Sequence, residues 1–263
     1  MRIATWNVNS IRSRIDRVEA LLQRHDIDVL ALQETKARDD QWPLMGLDAL
    51  GYEVATLGHN QWNGVAIVSR VGIEDVRTGF DGMPQWGEPM ASEARALGAT
   101  CAGVQVWSLY VPNGRALGDP HLTYKLEWLD RLHNAARGWL EENPEARIAL
   151  TGDWNIAPTD EDVWDMGVFA ASTHVSPEER SAFQAFVESG YADVVRPHAP
   201  GPGVYTYWDY YRQRFERNKG MRIDFVLGSP AFADGVAAAT IDRDERAGKG
   251  ASDHAPVIVD LTG

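Results

Sequence analysis

Continuous apolar runs mark several short segments of the chain and predict buried strands. They cover residues 2–8, 28–32, 52–56, 65–69, 104–111, 148–151, 223–227 and 257–261. A run of this length, bounded by polar and turn residues, is typical of a strand that lies inside a protein core. The chain therefore holds enough strands for two sheets.

Apolar residues at helical spacing predict three helices. The first follows Ser10, the expected N-cap, and its apolar positions end at Leu22. The clearest helix runs from Leu122 to Leu140 before Pro144, and a short one covers residues 183–188. Helices and strands do not alternate regularly, so we expect an α/β protein with two packed, mainly antiparallel sheets and helices outside them.

Composition narrows the class of protein. The 263 residues are 44% hydrophobic, which fits a globular chain that we take as a single domain, 1–263. The lone cysteine, Cys101, excludes a disulfide framework and a cysteine-rich zinc site. No apolar run approaches the length of a membrane helix and the first residues lack a signal-peptide pattern, so we expect a cytoplasmic protein. The net charge of −13 argues against a protein that coats nucleic acid non-specifically.

Oxygen-bearing side chains lie at the ends of the predicted strands. Asn7, Glu34 and Asp153 end such strands, and Asp253 stands just before the last one. Carboxylates that are buried close together repel one another unless a cation and hydrogen bonds compensate. Oxygen ligands without cysteine suit a hard cation, so the pattern indicates Mg²⁺ or Mn²⁺. Glu34 is the strongest ligand candidate, with Asn7 and Asp253 close behind.

Further polar residues near these strand ends suit phosphate chemistry. His254 follows an aspartate, and an imidazole beside a carboxylate can bind phosphate or move protons. Asp224 lies within an apolar run and could orient that imidazole. Tyr110 ends a strand and leads into the turn that contains Asn113, where a phenol and turn amides could contact an anion.

Each of these residues also has a purely structural interpretation. Asn7 could satisfy a strand end, Asp153 and Asn155 could form a turn, and Asp224 could pair with Arg222. All such interpretations would have to hold at once in separate segments, so their joint occurrence favours a common site. The P-loop, H-E-x-x-H and G-x-S-x-G motifs are absent from the sequence.

Seven short motifs carry a resemblance to a known family. They have the order and spacing found in the exonuclease III family: TWNVNS, LQETK, NGVAI, YVPNG, GDWNIAPT, MRIDF and SDHAP. From Ile3 to Leu261 the chain thus resembles the DNA-repair members of the endonuclease/exonuclease/phosphatase superfamily. This resemblance implies a four-layered α/β sandwich around two mainly antiparallel sheets.

The resemblance implies metal-binding and catalytic roles for the acids and amides. Glu34, with Asn7 and Asp253, resembles the metal site of the family. Asp153, helped by Asn155, resembles the residue that orients and deprotonates the attacking water. The implied reaction is in-line attack of water on a phosphodiester, which leaves a 3′-hydroxyl.

The resemblance also implies contacts with the scissile phosphate. His254, paired with Asp224, resembles the group that holds this phosphate and stabilises its negative charge. Tyr110 and Asn113 resemble phosphate-contacting residues. Arg115 resembles a residue that some relatives insert into DNA, although it could equally be a solvated loop arginine.

A third group of residues resembles the pocket for a flipped-out abasic sugar. Tyr207 and Trp208 match the aromatic part of this region. Met221 stands just before Arg222, where many relatives carry tryptophan. Methionine is apolar but flexible, so we expect the pocket to remain with altered selectivity.

The leading hypothesis is a Mg²⁺- or Mn²⁺-dependent enzyme that acts on double-stranded DNA as a monomer. It would be an apurinic/apyrimidinic endonuclease with 3′-repair diesterase and 3′-to-5′ exonuclease activity. One alternative is a relative that hydrolyses lipid or inositol phosphates, and intact LQETK and YVPNG motifs argue against it. Another is a catalytically silent DNA-binding protein, which the full set of polar residues disfavours.

The distribution of charge reconciles the acidic chain with DNA binding. Acidic runs at 141–145 and 160–162 account for part of the negative charge and are expected on surfaces away from DNA. Basic residues concentrate near the presumed pocket: Arg212, Arg214, Arg217, Lys219 and Arg222, to which Arg115 and Lys125 could add. We therefore expect one basic face and an affinity for DNA that falls with salt.

Overall fold

Twelve strands form two six-stranded sheets in residues 1–262, the part of the chain that the computed structural model describes. In chain order they are β1 (Arg2–Asn7), β2 (Val29–Gln33), β3 (Glu53–Leu57), β4 (Val65–Ser69), β5 (Glu74–Thr78), β6 (Ala96–Cys101), β7 (Val104–Tyr110), β8 (Ile148–Asp153), β9 (Ala192–Asp193), β10 (Asp224–Gly228), β11 (Val236–Ile241) and β12 (Val257–Leu261). The first sheet has the order β11-β12-β1-β2-β4-β3 and the second β5-β6-β7-β8-β10-β9.

Each sheet contains one parallel pair of strands. In the first sheet β1 runs parallel to β2, and in the second β7 runs parallel to β8. The other pairs in the two sheets are antiparallel. The prediction of two mainly antiparallel sheets is therefore confirmed, and each parallel pair is joined through a helix, as parallel strands require.

Six α-helices flank the sheets within residues 1–262. They are α1 (Ile11–Arg24), α2 (Leu44–Ala49), α3 (Pro120–Glu142), α4 (Met166–Phe169), α5 (Pro177–Glu188) and α6 (Pro230–Ala233). The longest, α3, begins where the Asp119 carboxylate accepts the His121 N–H at 2.8 Å. A capping box of Ser176 and Glu179 starts α5.

Ser10 does not act as the expected cap of α1. It occupies the N-cap position with a φ of 92°, but its side chain makes no capping hydrogen bond to the backbone. Its hydroxyl instead lies 3.1 Å from that of Ser13. The predicted N-cap position is therefore correct, but the capping hydrogen bond is absent, and the backbone N–H groups of Ser10 and Ile11 donate to the carbonyl oxygens of Glu34 and Thr35.

Alternating side chains divide the interior into three apolar layers. In β1, Ile3 packs between the sheets, whereas Ala4 and Trp6 pack under α1 and α2. In β8, Ala149 faces the space between the sheets and Leu150 faces α3 and α5. Because both faces of these strands are covered, they have the continuous apolar runs of buried strands. The result is the expected four-layered α/β sandwich.

No helix in residues 1–262 has the length and apolar character needed to cross a membrane.

Candidate active site

Strands from both sheets end or begin at one edge of the sandwich. The last residue of β1 pairs with the last residue of β2, one position before Glu34. In the second sheet Asp153 ends β8 and pairs with Tyr110 of β7 on one side and with Asp224 of β10 on the other. His254 precedes β12, which lies next to β1. Strand register therefore brings the predicted polar residues together.

The centre of this edge, which we call the acidic centre, consists of Glu34, Asp153 and His254. Each offers a ligand atom, and the three atoms lie within 4.8 Å of one another. The Asn7 side-chain amide donates to Glu34 Oε1 at 2.8 Å and to Asp153 Oδ2 at 2.9 Å. Asn7 thus joins the two sheets by bridging a carboxylate from each.

Lys36 holds the outer side of the acidic centre. Its Nζ lies 2.9 Å from Glu34 Oε2. Burial would raise the pKa of Glu34, but the charge of Lys36 and the hydrogen bond from Asn7 outweigh it and lower the pKa. Glu34 is therefore ionised at neutral pH and available to a cation.

Asp253 lies outside the acidic centre and connects to it through Asn9. The Asn9 side-chain Nδ2 donates to Asp253 Oδ1 at 3.0 Å, and the Asn9 side-chain Oδ1 accepts from Lys36 Nζ at 2.6 Å. The Asn9 backbone N–H also donates to Asn7 Oδ1 at 3.1 Å. The Asn7 side chain therefore donates to the carboxylates of Glu34 and Asp153, and its oxygen accepts the backbone N–H of Asn9.

His254 is held as a cation by buried aspartates. Its Nδ1 lies 2.8 Å from Asp224 Oδ2, which also accepts the Thr206 hydroxyl at 2.6 Å. Burial alone would lower the pKa of His254, but the charges of Asp224 and Asp153 raise it to about 10. The Nε2–H points toward Asp153, with Oδ2 3.7 Å away, so this proton remains available to a substrate oxygen.

Asp153 is buried close to two other carboxylates, Asp224 and Glu34. Burial, together with the charges of Asp224 and Glu34, raises its pKa to about 7 despite the opposing charge of His254. A carboxyl with this pKa is suited to accept a proton at neutral pH. The surplus of negative charge and the oxygen-rich donor set also fit a hard divalent cation, whose charge would favour the ionised form.

Asn155 belongs to a second network beside Asp153. Its backbone N–H donates to Asp153 Oδ1 at 2.9 Å and fixes that carboxylate. Its side-chain oxygen accepts from Asn113 Nδ2 at 3.3 Å and lies 3.1 Å from His174 Nε2. Burial and the charge of Lys125 lower the pKa of His174 to about 3, so its ring is neutral.

Tyr110 closes the site on the side of Glu34. Burial and the negative charge of Glu34 raise the pKa of its phenol well above the ordinary value. The guanidinium of Arg95 lies 4.8 Å from the centre of its ring. Tyr110 therefore keeps its proton and can act as a hydrogen-bond donor near the acidic centre.

Of the three residues predicted for the sugar pocket, Tyr207 and Met221 lie together, whereas Trp208 lies in a different apolar cluster. The Tyr207 ring lies 4.9 Å from the His254 ring and packs in the same apolar cluster as Met221. These two residues line a cavity of about 110 Å³. Trp208 is fully buried in a different cluster, and its Nε1–H donates to Asn218 Oδ1 at 3.1 Å.

Arg115 lies on the other side of the site. It borders a cavity of about 630 Å³, with its guanidinium 5.9 Å from the centre of the Trp86 ring. Its neighbour Asn113 reaches the Asn155 network, whereas Arg115 is exposed. The structure thus brings Asn113 to the Asn155 network beside Asp153 and leaves Arg115 at the rim.

Two cations expected on the basic face are buried instead. Lys125 is fully buried, pairs with Glu179 and donates to the carbonyl oxygen of Asn155 at 2.6 Å. Arg222 pairs with Asp162 and Asp193, not with Asp224. The expectation that these cations add to a DNA-facing surface was wrong because each neutralises a carboxylate inside the fold.

Comparison with known proteins gives the family. Residues 4–254 match the Endonuclease/Exonuclease/phosphatase family. The chain belongs to this family. Among its members, the exodeoxyribonuclease of Bacillus subtilis is 30% identical over 268 residues, and exodeoxyribonuclease III of Haemophilus influenzae is 28% identical over 276 residues. Each alignment covers 98% of both chains.

Solved structures of family members share the whole fold. The 3′ phosphatase NExo from Neisseria, bound to a product DNA hairpin, superposes with a TM-score of 0.93 at 36% identity over 100% of both chains. An AP endonuclease from Archaeoglobus fulgidus superposes with a TM-score of 0.92 at 33% identity over 99% of both chains. The predictions of the exonuclease III family, of its fold and of a DNA repair nuclease are confirmed.

Three residues that contact the predicted site residues are not among those predicted from the sequence, namely Asn9, Lys36 and His174. Asn9 and Lys36 lie in the quoted TWNVNS and LQETK motifs, so their proximity to Asn7 and Glu34 was a usable signal. His174 lies in a segment without a recognised motif, and its φ of 79° is not encoded by spacing. Only the fold brings it next to Asn155.

Proposed function

We propose that the protein is a divalent-metal-dependent phosphodiesterase that incises double-stranded DNA 5′ to abasic sites. We further propose that it removes blocking groups and nucleotides from 3′ ends. The observation that carries the proposal is the acidic centre, in which carboxylates from both sheets face a cationic histidine. Relatives named as an AP endonuclease, a 3′ phosphatase and a 3′-5′ exonuclease support both kinds of activity. The chain would act as a monomeric single domain in the cytoplasm.

Glu34 is the residue proposed to hold Mg²⁺ or Mn²⁺, because its carboxylate is ionised and lies at the open side of the centre. Asn7 and Asp253 are proposed to support this site, since one hydrogen-bonded network joins them through Asn9. When bound, the cation would stabilise the negative charge that develops on the phosphate oxygens.

The scissile phosphate would sit against His254, Tyr110 and Asn113. His254 donates its Nε2–H to a non-bridging oxygen, and its positive charge offsets the charge of the transition state. Tyr110 remains protonated and can donate to another oxygen. Asn113 is proposed to contact the same phosphate, and its hydrogen bond to the Asn155 side chain beside Asp153 supports this role.

Asp153 is proposed to take the proton of the attacking water. Asn155 fixes the carboxylate through its backbone N–H, and Asn7 fixes the other oxygen. As the water oxygen bonds to phosphorus, the bond from phosphorus to the 3′ oxygen breaks. The 3′ oxygen leaves as an oxyanion and takes a proton from solvent to give the 3′-hydroxyl, and the phosphate remains on the 5′ end of the other fragment. General-base assistance of this kind contributes about 10²–10⁴-fold to rate.

A labelled duplex with one tetrahydrofuran abasic analogue tests the proposal. With Mg²⁺, we expect a single cut 5′ to the analogue, and with excess EDTA we expect none. The same duplex without the analogue is the matched control, and a 3′-recessed duplex measures exonuclease activity. DNA binding without incision would support a silent binding protein. Hydrolysis of inositol phosphates without any DNA cleavage would overturn the proposal.

A further inference from the structure

Four cationic side chains surround a cavity of about 220 Å³ that lies apart from the acidic centre. We call it the basic pocket, and it is lined by Trp164, Val168, Arg212, Arg214, Arg217 and Lys219. Within residues 1–262, none of the four cations forms a salt bridge with a carboxylate or donates a side-chain hydrogen bond. The pocket therefore carries uncompensated positive charge.

The four cations lie together without a carboxylate among the residues that line their pocket. With a net charge of −13, carboxylates are abundant, and the nearby Arg222 has two of them as partners. Arg196 also pairs with a carboxylate. Like charges held close together repel one another, so a cluster without carboxylates is suited to an anion that comes from outside.

Trp164 holds two of the cations in place. Lys219 Nζ lies 4.2 Å from the centre of its ring, and the guanidinium of Arg214 lies 5.3 Å from it. The Trp164 Nε1–H is buried and has no hydrogen-bond acceptor in residues 1–262. The indole thus orders the cations and leaves a donor unused beside them.

The basic pocket is continuous with the active site. Arg214 and Lys219 line both this pocket and the smaller cavity, whose lining also includes Tyr207, Met221 and the carboxylate of Asp209. The Tyr207 ring in turn lies 4.9 Å from the His254 ring. A path therefore leads from the proposed phosphate-binding histidine, over Tyr207 and Met221 and past Asp209, to the basic pocket, where Arg212 and Arg217 lie beyond the cavity that Asp209 lines.

We propose that the basic pocket binds a second phosphate of the same DNA strand, separate from the phosphate that is cleaved. This inference rests on the proposed function, because the strand is taken to enter at His254. The sugar between the two phosphates would lie over Tyr207 and Met221. Arginine forks match the paired oxygens of a phosphodiester, and the pocket supplies three of them.

Neutral phosphate analogues test the inference. In EDTA, which prevents cleavage, we measure the affinity for abasic duplexes in which a methylphosphonate replaces each phosphate near the site in turn. The proteins are the wild type, Arg212→Ala and Arg217→Ala, whose side chains are both exposed. Arg137→Ala is the charge-matched control, since Arg137 lies on the outer face of α3 and contacts Glu141.

At one position, we expect the methylphosphonate to lower the affinity of the wild type for the duplex and to lower the affinity of each pocket variant by a smaller factor. At that position, the loss of binding free energy caused by the arginine substitution and the loss caused by the methylphosphonate are not additive, because the two changes remove the same contact. Each lost phosphate contact lowers the salt slope by about 0.9, so between 50 and 200 mM salt the wild type should lose about 3.5-fold more affinity than the variant. Arg137→Ala should match the wild type at every position.

Several results separate this inference from the proposed function. Additive losses at all positions, or pocket variants that bind like the wild type, would overturn the second phosphate site while metal-dependent incision still supports the nuclease. If coupling appears only when a terminal phosphate is removed, the pocket binds a strand end, which contradicts an internal phosphodiester. If the wild type neither binds nor cuts abasic DNA, the proposed function fails first.

Discussion

The variant Asp224→Asn removes the charge beside His254 and keeps the shape of the side chain. In the wild type His254 Nδ1 lies 2.8 Å from Asp224 Oδ2, and both side chains are buried. The Thr206 hydroxyl can still contact the amide, so the substitution acts mainly through charge. It therefore tests whether the site holds a cationic histidine.

The size of the effect follows from the pKa of His254. Burial opposes the cation, but the charges of Asp224 and Asp153 raise the pKa from 6.5 to about 10. At about 1.36 kcal/mol per pKa unit, this shift corresponds to roughly 5 kcal/mol of stabilisation of the folded state. The value agrees in order of magnitude with the cost of about 3–5 kcal/mol for breaking a buried ion pair.

The sign of the pH dependence is fixed by the direction of the shift. A pKa that is raised on folding stabilises the protein fully below pH 6.5 and loses this contribution as the pH rises through about 10. The wild type should therefore lose free energy of unfolding across this window. In Asp224→Asn the folded pKa of His254 falls, so the variant should be less stable by about 3–5 kcal/mol at pH 6 and should approach the wild type at pH 10.

Urea denaturation from pH 6 to 10 in EDTA measures this difference. The matched control is Asp16→Asn, because Asp16 is exposed on α1. The control should follow the wild type throughout. A constant difference between Asp224→Asn and the wild type over the whole range would refute the reasoning, because it would show that His254 does not titrate in the window.

Three further variants test separate parts of the structure. Asp153→Asn should lower turnover by about 10²–10⁴-fold in a single-turnover incision assay while duplex affinity stays near the wild-type value; near-normal turnover would exclude Asp153 as the base. Lys125→Met leaves the buried Glu179 without a cation and should lower the free energy of unfolding by about 3–5 kcal/mol in urea, with partial recovery when Glu179→Gln is added. Met221→Trp places a rigid ring in the cavity beside Tyr207 and should change the ratio of kcat/KM for abasic and intact duplexes; an unchanged ratio would remove Met221 from the substrate pocket.

The sequence predicts the acidic centre well because strand ends locate it. Asn7, Glu34 and Asp153 each follow an apolar run, and the ends of neighbouring strands meet at one edge of a sheet. Asp224 begins its strand, and antiparallel pairing with β8 places it opposite Asp153. The predicted strand positions and the predicted polar residues therefore support one another.

Partners of buried charges cannot be read from the sequence in the same way. Lys125 and Arg222 look like surface cations, but Glu179 and Asp162 neutralise them across 54 and 60 residues of chain. Only tertiary packing decides which cations are buried. The same packing leaves the cations at 212–219 without carboxylate partners. The charge run therefore predicts the four cations of the basic pocket, but it does not show that Lys125 and Arg222 are buried.

Four strands escaped prediction, namely β5, β6, β9 and β11, and for β6 and β11 the reason is their composition. The segment ALGATC of β6 and the segment VAAATI of β11 consist largely of small residues. Alanine and glycine have low β propensity, so these segments become strands because a neighbouring strand offers its hydrogen bonds. Their pairing is a property of the whole sheet.

Pairing of β1 with β12 makes the acidic centre depend on the order of synthesis. The Ser252 hydroxyl donates to the carbonyl oxygen of Asn7 at 2.7 Å, and the Trp6 indole donates to the carbonyl oxygen of His254 at 3.0 Å. A ribosome makes Asn7 almost 250 residues before His254, as the separation of 248 between Trp6 and His254 shows. Until that late segment emerges, a nascent chain lacks the cation opposite Asp153, so the acidic centre is complete only after His254 has been translated.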